Sequence, residues 1–247
     1  MSLRLLTMPP SHYSEKARWA LDRSGLPYVE ERHAPLFHRF ALKKIGAKNT
    51  VPALVTDNGT IADSLEILRW VDAHSDKKLY PADPELRKQV EDFEAELGAR
   101  FGPAMPRWAY YHIIPHRALY TRLCTQGAPG KERIAFGMLA PIVGMGMKKG
   151  LKINKEAADR AVERIGEYFA KVSAMLSDGR RYLFGNEFTA ADLTWAALAC
   201  GPAGAKGYGG STASEEEAPP EMREQVRGWR ETPAGQFVQR IYDEHRR

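Results

Sequence analysis

Cysteine is scarce in this chain. Its 247 residues include two, Cys124 and Cys200, far apart and without metal-ligand spacing. That argues against a disulfide framework and a metal centre, and fits a reducing compartment. No uncharged apolar run approaches the roughly 20 residues needed to cross a bilayer. The opening MSLRLLTMPP is too short, and too soon interrupted by proline, to read as a signal peptide. A dominant charge is missing too. The 36 basic side chains are nearly balanced by 31 acidic ones, for a net charge of +5, and the basic residues sit in short runs such as Lys43-Lys44 and Lys148-Lys149. Nucleic-acid binding calls for a basic stripe. The expectation is a cytoplasmic protein with no nucleic-acid, membrane or metal partner.

What is present is enough apolar residue, 43% of the chain, for one large core or two modest ones. LRLLT (residues 3–7) has no helical period and reads as a strand stopped at Pro9-Pro10. From Ser14 the pattern is helical, with Tyr13, Ala17 and Leu21 on one face and Gly25 as its terminator. YVEERHA (28–34) reads as a second strand, and residues 36–49 as a short basic helix or a loop. VPALVTDNGTIAD then carries a strand at 53–56, an Asn58-Gly59 turn suited to a tight hairpin, and a further short strand. Ser64 opens a helix running to His74. After LYPADPE (79–85) strand patterns stop. Leu86, Val90, Phe93, Leu97 and Phe101 mark one amphipathic helix, broken or kinked by Gly102, Pro103 and Pro106, and Ala158 to Leu176 marks another. FTAADLTWAALAC (188–200) is a third. It has Thr189 as cap, Asp192 three residues on, and Phe188 and Leu193 placed as a hydrophobic staple. GPAGAKGYGG (201–210) lacks the strand-to-helix setting of a phosphate loop and reads as a flexible loop.

Four elements in this order resemble the cytosolic glutathione S-transferases: SHYSEKARWAL, Val51-Pro52, Asp63-Ser64 and YLFGNEFTAADLTWAAL. The resemblance implies an α/β thioredoxin-like N-terminal domain (βαβαββα, with a mixed four-stranded sheet) over residues 1–80, followed by an all-α C-terminal domain over residues 86–247. It implies a homodimer, glutathione as co-substrate bound by the N-terminal domain, and a small hydrophobic electrophile bound by the helical C-terminal domain. In the Ser-type zeta-, tau- and omega-like classes the catalytic residue heads a C/S-x-x-x-x-K/R-x-R run, and Ser11, Lys16 and Arg18 match it. Two departures stand out. Ser14 occupies a position where relatives often carry cysteine, and Thr50 precedes Val51-Pro52 where lysine is common, with Lys48 nearby.

Read residue by residue, a serine ahead of a helix is first of all an N-cap, and Ser11 and Ser14 both qualify. A hydroxyl there also has chemistry. The positive end of the helix dipole and an O–H donor both favour a thiolate, lowering a thiol pKa from ~8.5. The resemblance, through the matching run, makes Ser11 the candidate catalytic residue, as the donor to the glutathione sulfur, with Ser14 as runner-up and Tyr13 as a further alternative. The resemblance makes Pro52 cis and offers the Val51 backbone to an extended peptide. It places the γ-glutamyl end of glutathione at Asp63 and Ser64, where a helix start favours an anion, and makes Lys44 and His38 candidates for the glycyl carboxylate. Tyr13, Trp108 and Tyr111 are candidates for the second substrate, with the Met-rich stretch 143–150 as a further apolar wall. The implied reaction is conjugation of glutathione to the electrophile. The other readings are a glutathione-dependent reductase or isomerase, and a non-catalytic binding protein of the same fold.

Overall fold

The computed structural model describes residues 3–246. The chain opens with β1 (Leu3–Thr7), α1 (His12–Ser24), β2 (Tyr28–Arg32), α2 (Phe37–Lys44), β3 (Ala53–Thr56), β4 (Gly59–Ile61) and α3 (Ser64–Ala73). The four strands form one mixed sheet in the order β2-β1-β3-β4, with β1 parallel to β2 and antiparallel to β3. Alternation along β1 and β3 feeds the two faces of this sheet. Leu5 and Leu54 are fully buried in the main core with Ala17, Leu21, Ile67 and Leu68 of α1 and α3, while Leu6 and Ala53 pack on Leu42 of α2. The ambiguous stretch 36–49 thus contains a helix, and the second strand ends at Arg32.

The start of α1 differs from expectation. Ser14 is not its cap. The helix begins at His12, and the Ser11 side chain accepts a hydrogen bond from the Ser14 N–H at 3.2 Å. Gly25 closes the helix in the left-handed region, as its lack of a Cβ allows.

The remaining elements are helical: α4 (Pro84–Glu96), α5 (Ala104–Ile113), α6 (Arg117–Thr125), α7 (Gly130–Gly150), α8 (Lys155–Met175), α9 (Ala190–Ala203), α10 (Pro220–Arg230) and α11 (Pro233–His245). The stripe at 86–101 is not one continuous α-helix. After Glu96 it widens into a π-helical turn, Leu97–Phe101, before α5. Every residue of α9 from Ala190 to Cys200 is buried, and α1, α4, α10 and α11 pack around it. Its start is held as the sequence suggested. Asp192 accepts from the Thr189 N–H (2.8 Å), the Thr189 hydroxyl (2.9 Å) and the Leu183 N–H (2.8 Å). The sheet unit and the helical unit share a continuous core. Ala190 N–H donates to Leu79 C=O at 2.8 Å, and the Trp19 indole donates to His245 C=O at 3.0 Å.

Candidate functional site

The seam between the sheet unit and the helices opens into an apolar cavity of about 370 Å³. Ser11, His12 and Tyr13 at the start of α1 form one wall, with Thr50 and Val51 beside them. The helical side supplies Met105, Trp108 and Tyr110 of α5, Cys124 of α6 and Met147 of α7. A second hollow of about 500 Å³ shares Tyr13, Thr50 and Val51 with the first and continues to Pro52, Asp63 and Ser64. One cleft therefore runs from the start of α3, past the Val51–Pro52 peptide, to the start of α1 and on into the helical unit.

Of Ser11 and Ser14, Ser11 faces the cavity. Its oxygen accepts from the Ser14 amide, which leaves its own O–H to donate to a molecule in the cavity. Ser14 is fully buried, lines neither hollow, and its Oγ sits 3.5 Å from the Met8 N–H. Val51–Pro52 is a cis peptide, and Val51 takes part in none of the backbone hydrogen bonds among the described residues outside the sheet and helices. Asp63, not Ser64, caps α3, accepting from the Leu65 N–H at 2.8 Å. Ser64 is buried and lines the second hollow, and its hydroxyl has no hydrogen-bond partner among the described residues.

Other expected site residues are redistributed. Lys44 is exposed at the end of α2 and lines neither hollow, because its helix directs Leu42 inward and its last turn to solvent. His38 does line the apolar cavity, and burial lowers its pKa. Trp108 is fully buried in the cavity wall, its indole N–H donating to Gln225 at 2.7 Å. Tyr111 lies off the cavity against the His112 ring, and its neighbour Tyr110 takes the lining position. These aromatics lie within α5 and not at its break, so a turn of about 100° per residue separates the two tyrosines. Tyr13 reaches across the seam. Its hydroxyl donates to Gly98 C=O at 2.8 Å, and a side chain at Gly102 would collide with it. Burial, with help from Asp63, pushes the Tyr13 phenol up to about 12, so it stays protonated near neutral pH.

Lys16 and Arg18 are structural. Lys16 pairs with Glu94 at 2.7 Å, both nearly inaccessible, and the Tyr80 hydroxyl donates to the same carboxylate at 2.7 Å. Arg18 bridges Glu15 and Glu30. The Gly-rich segment is not a flexible loop. Its first residues finish α9, the Gly209 N–H donates to the Glu15 carboxylate, and the Ser211 N–H donates to Pro9 C=O at 2.9 Å. So anchored, Tyr208, Ser211, Thr212 and Ala213 line the cavity. Sequence reasoning also missed His12. Its Nε2 has no hydrogen-bond partner among the described residues, and burial lowers its pKa to about 4 despite an opposing contribution from the Gly102 backbone. Among the described residues no His, Cys, Asp and Glu side chains cluster as a metal site.

Two family models match the chain. The glutathione S-transferase N-terminal domain matches residues 5–78, and the C-terminal domain matches residues 155–199. The chain belongs to the glutathione S-transferase family. No curated protein matches its sequence. Solved structures of similar fold include a β-etherase from Sphingobium sp. strain SYK-6 (20% identity, TM-score 0.60, covering 96% of this chain and 98% of that one). A tau-class transferase from mango, Mangifera indica, is 19% identical (TM-score 0.53; 96% and 92% covered). A transferase from Methylobacterium radiotolerans in complex with glutathione sulfonate is 18% identical (TM-score 0.57; 100% and 92% covered). At these identities the likeness establishes the glutathione S-transferase fold.

Proposed function

We propose that this chain is a Ser-type glutathione transferase that ionises bound glutathione at Ser11 and delivers the thiolate to a small hydrophobic electrophile in the apolar cavity. One observation carries the reading: the Ser11 hydroxyl, at the N-terminus of α1, faces the cavity beside the Val51 backbone. Glutathione would lie extended along the cleft. Its cysteinyl part pairs with the Val51 N–H and C=O, and its γ-glutamyl carboxylate meets Ser64 and the first amides of α3. Its sulfur reaches the start of α1. There the O–H of Ser11 and the positive helix end both favour the thiolate over the thiol. The helical walls then hold the electrophile. Met105, Met147 and Trp108 provide a polarisable apolar surface that adapts to varied shapes. The glutathione sulfonate bound by the Methylobacterium neighbour supports glutathione as the co-substrate, and the β-etherase neighbour leaves the type of transfer open. Retention on immobilised glutathione together with turnover of a panel of electrophiles tests this reading. Retention without turnover of any electrophile would favour a non-catalytic binding protein.

The family's homodimer is part of the same proposal, with a face of α4 opposite its Val90 and Phe93 stripe as the contact. Sedimentation at micromolar concentration is expected to give a mass well above the 27.7 kDa of one chain.

A further inference from the structure

The α7 helix is apolar on two opposite faces. Phe136, Ala140 and Gly144 are buried, and Met147 follows them along the cavity wall. Ile134, Met138, Ile142 and Met145 repeat the same spacing two residues earlier, which turns them about 200° away. They point outward, with between 62% and 69% of their surface exposed. From Phe136 to Met147 the helix carries no charged residue. A helix apolar all round belongs in an apolar surrounding, and a contiguous exposed apolar patch marks a docking surface.

The charges at its ends indicate what docks. Lys131 and Arg133 precede the uncharged span, Lys148 and Lys149 follow it, and Lys152 lies just beyond. These five are exposed, and none forms an ion pair among the described residues. The single acid of α7, Glu132, turns inward, to the His33 ring at 2.7 Å and the Ala34 N–H at 2.9 Å. An outward surface of large apolar side chains framed by free cations complements an anionic lipid surface, which accepts the apolar face at the acyl boundary and the lysines at its headgroups. An α7 face buried against a second copy of the chain would set the same lysines opposite one another.

We propose that the outer face of α7 docks this protein on anionic membrane surfaces, in contrast to the membrane-free expectation from composition. The helix lies in the interface plane and does not cross. Its other face stays packed on the protein, and among the described residues no single helix is long and apolar enough to span. Met147 places the apolar cavity directly behind the docking face.

The test is flotation of the full-length protein with vesicles of equimolar phosphatidylcholine and phosphatidylglycerol, and with phosphatidylcholine alone. The proposal expects binding to the anionic vesicles that weakens with salt. Lys148→Glu with Lys149→Glu should reduce it by about tenfold or more. The variant Ile134→Ser, Met138→Ser, Ile142→Ser and Met145→Ser should abolish it while keeping the circular dichroism of the wild type. If that variant does not fold, Ile142→Asp alone is expected to lower binding. Absence of wild-type binding to the anionic vesicles overturns the proposal, as does binding unchanged in the apolar variants. An apolar variant that lowers the sedimentation mass, with no vesicle binding by the wild type, would assign the face to contact between copies instead.

Discussion

Glu15, in the first turn of α1, accepts from the Arg246 guanidinium at 2.8 Å, joining the first helix to the far end of the described chain. Both side chains are nearly inaccessible, at 0% and 8% exposure. The same carboxylate takes the Gly209 N–H and pairs with Arg18, so one buried group ties together α1, β2 through Glu30, the C-terminus and the roof of the cavity. Removing one partner of a buried ion pair strands the others without compensation and costs about 3–5 kcal/mol. Glu15→Ala is therefore expected to lower the thermal midpoint by roughly 10 °C, at about 2–4 °C per kcal/mol for a chain of this size. The segment around Gly209 should become sensitive to limited proteolysis. Thermal unfolding monitored by circular dichroism, with and without protease, reads both effects.

Asp63 and Ser64 divide the work at the start of α3. Asp63→Ala loses an N-cap and should cost ~1 kcal/mol of stability. Ser64→Ala leaves the cap in place. It should instead weaken glutathione binding by about 1–3 kcal/mol, the range for a hydrogen bond to a charged group. Calorimetric titration of the two variants separates the effects, and unchanged affinity in Ser64→Ala would move the γ-glutamyl end elsewhere.

His12 gives stability a pH dependence. Its folded pKa, about 4, lies below the ordinary 6.5 because burial disfavours the imidazolium. Between those values the unfolded chain binds the extra proton, so stability is full above about 6.5 and falls as pH drops toward 4, by up to about 1 kcal/mol per pH unit. His38, His112 and His245 are shifted in the same direction. Denaturant unfolding at several pH values should show this slope, and His12→Gln should flatten part of it.

Where local chemistry decides, the sequence was readable. The run Leu3 to Thr7 and the Thr189-x-x-Asp192 start are each specified by neighbours in the chain, and so is the hairpin, although its turn is Asp57-Asn58 and not Asn58-Gly59, because Gly59 already pairs with Thr56 as the first residue of β4. Long-range pairing was not readable. Nothing near Lys16 announces Glu94, and nothing near Glu15 announces Gly209 or Arg246. Helix α7 was hidden because Gly130, Gly137, Gly144, Gly146 and Pro141 all argue against a helix locally, and tertiary packing of Phe136 and Ala140 outweighs them. The mistaken choice of Tyr111 over Tyr110 has a similar origin. Both are aromatic, and only the phase of α5, set by the burial of Met105 and Trp108, decides which one faces the cavity.

Ser11 serves two roles in this account, as the cap of α1 and as donor to the thiolate. Ser11→Ala should lose about 0.5–2 kcal/mol of stability from the cap, and turnover by ~10²–10³ where its O–H is the main donor to the anion. Ser14 faces no cavity, so Ser14→Ala should leave the sulfur untouched. The most direct measurement is the thiolate absorbance of the glutathione complex titrated against pH for wild type, Ser11→Ala and Ser14→Ala. The account predicts ionisation at higher pH in Ser11→Ala alone, with glutathione affinity little changed. A shift in Ser14→Ala without one in Ser11→Ala, or no shift in either, would contradict it.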